Sequence, residues 1–250
     1  MARVRAQHTV SVDVSVAVVR QAYTEGMITV HHLNASRSHR VLWLLEELGA
    51  PYEVVRYQRN PQTMLAPPEL RRIHPLGKSP VITDEGRTIA ESGAIIEYLN
   101  DRYGNERFVP PRGSDEFLAY RYWLHYAEGS AMPPLLLKLV FQRVPKAVPA
   151  IIRPLANVIF AGAQKSYIDP QLATHVRYWE GELGKNPWFA GPEFTAADIQ
   201  MSFPVQAAMK RAAPPRAGGY PNIQKYLDRI VERPAYQRAV TAGGGFELLA

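Results

Sequence analysis

The chain has 250 residues, 46% of them hydrophobic and 21% charged, with a formal net charge of +6 at pH 7 and no cysteine. That length buries a substantial core and fits one large domain or two small ones, and two is the reading preferred here. Without cysteine there are no disulfides, thiolate metal sites or redox chemistry on a protein thiol, so any thiol arrives with a ligand; the composition suits a reducing compartment. Lys and Arg are scattered, with no basic tract and no reading motif, which argues against nucleic acid, and no apolar run approaches the roughly 20 residues of a membrane-spanning helix.

Residues 1–26 alternate valine with polar residues from Val10 to Val18, and Asp13 interrupts what would be the apolar core of a signal peptide. This segment is read as an appended arm or as translation from an upstream start codon, and the fold is expected to begin at Met27. "MITVHHL" alternates as a strand, "NASRS" is a polar turn, and "HRVLWLLEEL" carries the apolar stripe Val41, Leu44, Leu45 and Leu48 of a helix. Gly49 supplies a left-handed helix end and Pro51 prevents continuation before "YEVVRY", a second strand. The unit is βαβ, so its strands are expected to be parallel. His31 and His32 do not suggest a metal site, because adjacent strand residues face opposite ways and no partner follows at ligand spacing.

A short helical "PPELRRI" precedes "HPLGKSPVI", a strand; "TDEG" is a hairpin turn, "RTIAE" the returning strand and "SGAIIEYLNDRY" a helix. The order βαβαββα is thioredoxin-like, and its proline before the third strand makes Ser79-Pro80 the candidate cis bond. From residue 112 the pattern is helical throughout: "EFLAYRYWLHYAEGS", an apolar region interrupted by proline, "PQLATHVRYWEGELG", "TAADIQMSFPVQAAMKR" and "YPNIQKYLDRIVERPAYQRAV". In "TAAD", Thr195 and Asp198 form a capping-box variant, which is a structural role. The apolar stretch 147–163 is too short and too interrupted, by Arg153 and two prolines, to span a membrane, and is read as buried helix, pocket wall or interface. The expected division is therefore an extension over 1–26, an α/β domain over 27–104 and an all-helical domain over 112–245.

Four motifs stand in order across both parts: "SRSHR" after the first strand, "HPLGKSPVI", "AESGAIIEYL" and "FTAADI". In these the chain resembles the cytosolic glutathione S-transferases from about residue 27 to 242, and most closely a bacterial and fungal branch. The resemblance implies a thioredoxin-like domain that binds glutathione, a helical domain behind it, a cytoplasmic homodimer of the detoxifying type, and no metal.

Glutathione presents two carboxylates, an ammonium, peptide amides and a thiol. The resemblance assigns its γ-glutamyl carboxylate to Ser92, where a hydroxyl, backbone N–H groups and the positive end of a helix dipole coincide, and its ammonium to Glu91. The cysteinyl backbone would pair in strand fashion with Ser79, turned outward before Pro80; relatives often have valine where Ser79 stands, but a main-chain contact tolerates the change. Lys78, with His74 as a weaker candidate, is placed at the glycyl carboxylate. By residue type alone Ser92 is equally a helix cap and Lys78 an exposed loop lysine.

A free thiol has a pKa near 8.5, and lowering it by about two units needs about 2.7 kcal/mol of preferential thiolate stabilisation. In the serine-dependent branches of the family the activating Ser follows the first strand, which points to Ser36, with Ser38 and Asn34 as rivals; all three could equally cap the next helix. No tyrosine lies in the 31–40 turn, and the missing cysteine excludes mixed-disulfide chemistry. The electrophile is expected to be hydrophobic and to sit between the domains, with Tyr122, Trp123 and Tyr126 as candidate walls or core residues. The implied activity is glutathione transfer with a peroxidase side activity. A non-catalytic glutathione-fold binding or regulatory protein, and a glutathione-dependent isomerase or dehalogenase, are the alternatives, because the fold does not choose among them.

Overall fold

The structure is a computed structural model, and it describes residues 27–214 and 217–245. The expected arm over 1–26 lies outside the described residues.

Strand β1 (Ile28–Leu33) runs parallel to β2 (Tyr52–Tyr57), with Val30 opposite Val54. Between them helix α1 (Ser38–Leu48) ends at Gly49, whose φ of 67° is the left-handed cap anticipated from the sequence. A single helical turn, α2 (Leu70–Ile73), leads to β3 (Val81–Asp84), which pairs antiparallel with β1 and with β4 (Arg87–Ala90). The sheet order is β2-β1-β3-β4, and helix α3 (Ser92–Tyr103) closes the βαβαββα unit. The Ser79-Pro80 bond is cis, as expected from its place before the third strand. The hairpin turn is tighter than "TDEG" suggested. Thr83 and Asp84 remain in β3, and the turn is Glu85-Gly86, both with positive φ (46° and 76°), the geometry that matches the twist of adjoining strands.

The rest of the chain is helical. Helix α4 (Asp115–Tyr126) starts at Ser114, whose side chain accepts the Phe117 N–H, and runs through a π turn (Ala127–Ala131) into α5 (Met132–Ala147). Helix α6 (Arg153–Ala163) likewise continues through a π turn (Gln164–Ile168) into α7 (Asp169–Lys185). Helix α8 (Ala196–Arg211) begins at Thr195, and its Asp198 carboxylate accepts both the N–H (2.9 Å) and the hydroxyl (3.1 Å) of Thr195. The final periodic run is two helices rather than one, α9 (Pro221–Glu232) and α10 (Pro234–Ala242), because Pro234 has no N–H to continue α9 and instead opens α10 at its first position.

Helix α1 is the pivot of this arrangement. Ser38 to Leu45 are all buried, with Trp43 fully enclosed, because α1 packs on β1 and α3 and is covered by α8 and α10. A helix apolar around most of its circumference has to sit between layers. Glu46 and Glu47 at its end hold Arg238 and Arg233, which ties the last helix to the first.

Of the three options for the apolar stretch 147–163, buried helix, pocket wall or interface, the first does not hold: no residue of α6 is buried, and its outer side chains stand in solvent. Its apolar side is wider than the single helix it packs on can cover.

Candidate active site

The site grows from the turn between β1 and α1. Asn34 is clasped by Arg59, whose backbone N–H donates to Asn34 Oδ1 at 2.8 Å and whose Nε donates to the Asn34 carbonyl at 3.1 Å. Ala35 then takes a positive φ of 48°, and Ser36 follows at 5% exposure, at the bottom of a cleft.

Ser36 Oγ accepts the Ser38 N–H at 3.2 Å and lies 2.7 Å from Ser38 Oγ and 3.4 Å from Ser79 Oγ. Ser38 Oγ lies 2.8 Å from His32 Nδ1, and the Ser79 hydroxyl donates to the His31 carbonyl at 3.1 Å. Sequence separations of 43 and 48 residues are thus closed onto one chain of oxygens. Burial, with the Arg56 charge adding to it, lowers the pKa of His32 to about 4 against the partial opposition of a hydrogen bond to the Gly243 backbone. The ring is therefore neutral at pH 7. With the Gly243 backbone accepting from the ring, the neutral tautomer that leaves Nδ1 as an acceptor faces Ser38 Oγ.

A second cluster lies at the start of α3. The Arg40 side chain is wholly buried and donates to the Gln200 carbonyl (2.7 Å), to Ser92 Oγ (2.9 Å) and to Glu128 (2.5 Å). Glu128 also pairs with Arg37. Burial alone would raise the Glu128 pKa, but the charges of Arg40 and Arg37 hold it below the usual carboxylate range. One buried cation thereby joins the α/β part to α8 and to the π turn of the helical part. Glu91, just before Ser92, is exposed, has a positive φ of 72°, and leaves its side chain out of the cap.

The cleft opens to solvent and has a volume of about 100 Å³ that water can enter. Ser36, Arg37, Arg59 and Ser79 line it on one side, and Met132, Leu135, Leu139, Phe203, Ala207 and Arg211 on the other. A polar edge carrying the Ser36 and Ser79 hydroxyls faces a wall that is mostly apolar, with Lys138, Gln142 and Arg211 among its members, an arrangement suited to a polar co-substrate beside a hydrophobic one.

Residues 36–102 match the family described as "Glutathione S-transferase, N-terminal domain", and residues 144–234 the one described as "Glutathione S-transferase, C-terminal domain". Glutathione S-transferase 3 of Schizosaccharomyces pombe is 36% identical over 209 residues, covering 84% of this chain and 85% of its own. Glutathione S-transferase 1 of Saccharomyces cerevisiae is 34% identical over 234 residues, covering 88% and 98%. The crystal structure of a glutathione S-transferase from Actinobacillus pleuropneumoniae superposes with a TM-score of 0.73 at 37% identity, over 88% of this chain and 94% of that one. The chain belongs to the glutathione S-transferase family.

The glutathione S-transferase fold brings Ser36, Ser38 and Ser79 together, while Asn34 has its side-chain oxygen occupied by Arg59. Ser92 is buried under Arg40, Pro80 is buried behind Ser79, Lys78 is exposed on the preceding loop, and half-buried His74 accepts the Leu76 N–H at 3.4 Å. Tyr122, Trp123 and Tyr126, offered as cleft wall or core, are not among the residues lining the cleft. They pack on one another, with Trp123 and Tyr126 against Tyr178, Trp123 against Phe189 and Tyr126 against His175. The wall is instead made one π turn later, by α5. Sequence reading also passed over Arg40 and Glu128, although the "SHR" of α1 held the first of them, and it considered His32 only as a metal ligand.

Proposed function

We propose that the enzyme binds glutathione along the β3–α3 edge and holds its thiol as the thiolate, by a hydrogen bond from the Ser36 hydroxyl and with the thiol proton released to solvent, for attack on a hydrophobic electrophile held in the cleft. The observation that carries this is the proton accounting around Ser36. The Ser79 proton is committed to the His31 carbonyl, and the Ser38 proton has His32 and the Leu33 carbonyl as acceptors. The Ser36 proton is left to choose between Ser38 Oγ, the more distant Ser79 Oγ and whatever enters the cleft, while the Ser38 N–H fixes the Ser36 oxygen in place. A hydroxyl so held turns its proton to a thiolate without reorganising its surroundings.

In this reading Glu91 takes the γ-glutamyl ammonium and the N-terminus of α3 at Ser92 takes its carboxylate. The Ser92 hydroxyl, already an acceptor from Arg40, donates to that carboxylate. Ser79 meets the cysteinyl backbone beside Pro80, and Lys78, with His74, meets the glycyl carboxylate. The thiolate sulfur forms a bond to the electrophilic carbon and the leaving group departs with the bonding electron pair, so the protein ends unmodified. With a hydroperoxide the same thiolate attacks the O–O bond, taking one oxygen as the sulfenic acid of glutathione and releasing, with a proton from solvent, the alcohol; a second glutathione then displaces that oxygen as water and forms the disulfide. The enzyme acts as a cytoplasmic homodimer.

Ultraviolet difference absorption during titration of glutathione into the protein across neutral pH tests this. A thiolate band well below the free pKa is expected. Saturable binding without the band supports a binding or regulatory module instead, a reading to which the 2.7 Å Ser36–Ser38 contact is also suited. Return of unconsumed glutathione during turnover supports an isomerase or dehalogenase.

A further inference from the structure

Between Glu128 and Asp169 the chain runs for 40 residues without an acidic side chain and with five basic ones, so this segment supplies five of the six net positive charges. It is also where the apolar surface lies. Leu155, Val158 and Ile159 on α6 are 64%, 71% and 57% exposed, and Ile151 in the preceding turn is 90% exposed. On the opposite side of α6, Phe160 meets Phe141 of α5 at 5.2 Å between ring centroids, so the helix is fixed with its apolar face outward. Lys146, Arg153 and Lys165 are exposed around that face, whereas Lys138 is paired with Asp169.

We propose that the α6 face is a docking surface for an anionic lipid bilayer, on which the protein rests without spanning it. The helix is short and amphipathic, its exposed side is aliphatic, and the cations beside it have no acidic side chain in the segment to neutralise them, which is the combination that holds a helix in the headgroup region. No helix among the described residues is long and apolar enough to cross a membrane. A second copy docked α6 against α6 fits less well, because a two-fold axis through this face would set the basic segment against itself. Nucleic acid fits less well because the large exposed hydrophobic side chains of α6, Leu155, Val158 and Ile159, are aliphatic and give bases no aromatic face on which to stack. Leu136 of α5 is 52% exposed and also lines the cleft, so docking would bring the cleft mouth toward the phase in which hydrophobic electrophiles dissolve.

The chain has no cysteine, so Val158→Cys gives a single attachment point for an environment-sensitive fluorophore. Labelled full-length protein is mixed with vesicles of phosphatidylcholine alone and of phosphatidylcholine with about 30% phosphatidylserine, at low and high salt. A blue shift with the phosphatidylserine vesicles that salt reverses is expected, together with flotation of unlabelled protein on them. Neutralising Lys146, Arg153 and Lys165 to glutamine should weaken partitioning by about 10²-fold. The variant Leu155→Ser/Val158→Ser/Ile159→Ser should not float while keeping its circular dichroism spectrum. Absence of any shift or flotation overturns the proposal, as does flotation unaffected by both sets of substitutions. A shift produced by raising protein concentration without lipid overturns it in favour of a second copy, and one produced by an oligonucleotide in favour of nucleic acid.

Discussion

Replacing Ser36 by alanine removes one hydroxyl, and the consequence for catalysis is strongly pH-dependent. The lost group leaves the Ser38 N–H without its acceptor and takes one of the neighbours of Ser38 Oγ, which keeps His32, a stability cost of about 1–3 kcal/mol that a domain of this size survives. A hydrogen bond from a neutral donor to an anion contributes about 1.5–3 kcal/mol, which corresponds to about one to two pKa units on the bound thiol. If the bound thiol titrates near pH 6.5 with Ser36 and near 8.5 without it, the thiolate fraction at pH 6.5 falls by about 50-fold, while above pH 9 the two proteins are nearly equal. The assay is kcat/KM for conjugation of an activated chloronitrobenzene between pH 6 and 9.5, with thiolate absorption of the bound glutathione followed in parallel. Ser36→Ala should shift both profiles to higher pH, and Ser38→Ala should shift them less. A deficit of the same size at every pH would refute the thiolate role and leave Ser36 a merely structural cap. An unchanged Ser36→Ala profile with a shifted Ser38→Ala profile moves the role to Ser38.

Arg40→Met should destabilise the protein by about 3–5 kcal/mol in urea titrations, because it strips Ser92, Gln200 and Glu128 of a buried donor; adding Glu128→Gln should recover part of the loss, and a cost below about 1 kcal/mol would remove Arg40 from its bridging role. Asp198→Asn should cost about 1–3 kcal/mol, since the wholly buried carboxylate accepts from Phe189 N–H, Thr195 N–H and the Thr195 hydroxyl, and an amide cannot serve all three; an unchanged melting curve contradicts this. Acid should unfold the protein early. Burial lowers His31 and His32 to about 4 and His39 to about 3, so the unfolded chain binds protons below pH 6.5 that the folded one refuses, and the stability present above 6.5 is lost as pH falls toward 4. Asp198, raised to about 6 by burial, works in the opposite sense between pH 6 and 3.8, so the net loss should be about 3 kcal/mol per pH unit over that interval. A urea midpoint that stays flat from pH 6.5 to 4.5 would show that these imidazoles are hydrated.

The sequence by itself determined the order of the elements and their ends. Alternation in "MITVHHL", the helical stripe through Val41 and Leu48, Gly49 and Pro51 as stops, and the Thr195–Asp198 cap all act through neighbours in the chain, so their physics is local. It also placed Ser36 at the mouth of α1, since a turn after a strand fixes position along the chain. What it could not determine is which side chains meet across the fold. Ser36 reaches Ser79, His32 reaches Gly243, and Arg40 reaches Glu128 and Gln200, only because α1 is enclosed by the sheet on one side and by α8 and α10 on the other. The cleft wall depended on the π turn over Ala127–Ala131, which sets the phase of α5 after Tyr126 and left the aromatic residues of α4 packed on α7 while Leu135 and Leu139 lined the cavity. The exposure of α6 was likewise invisible in a run of apolar letters, because burial depends on what packs against a helix as well as on its own hydrophobicity.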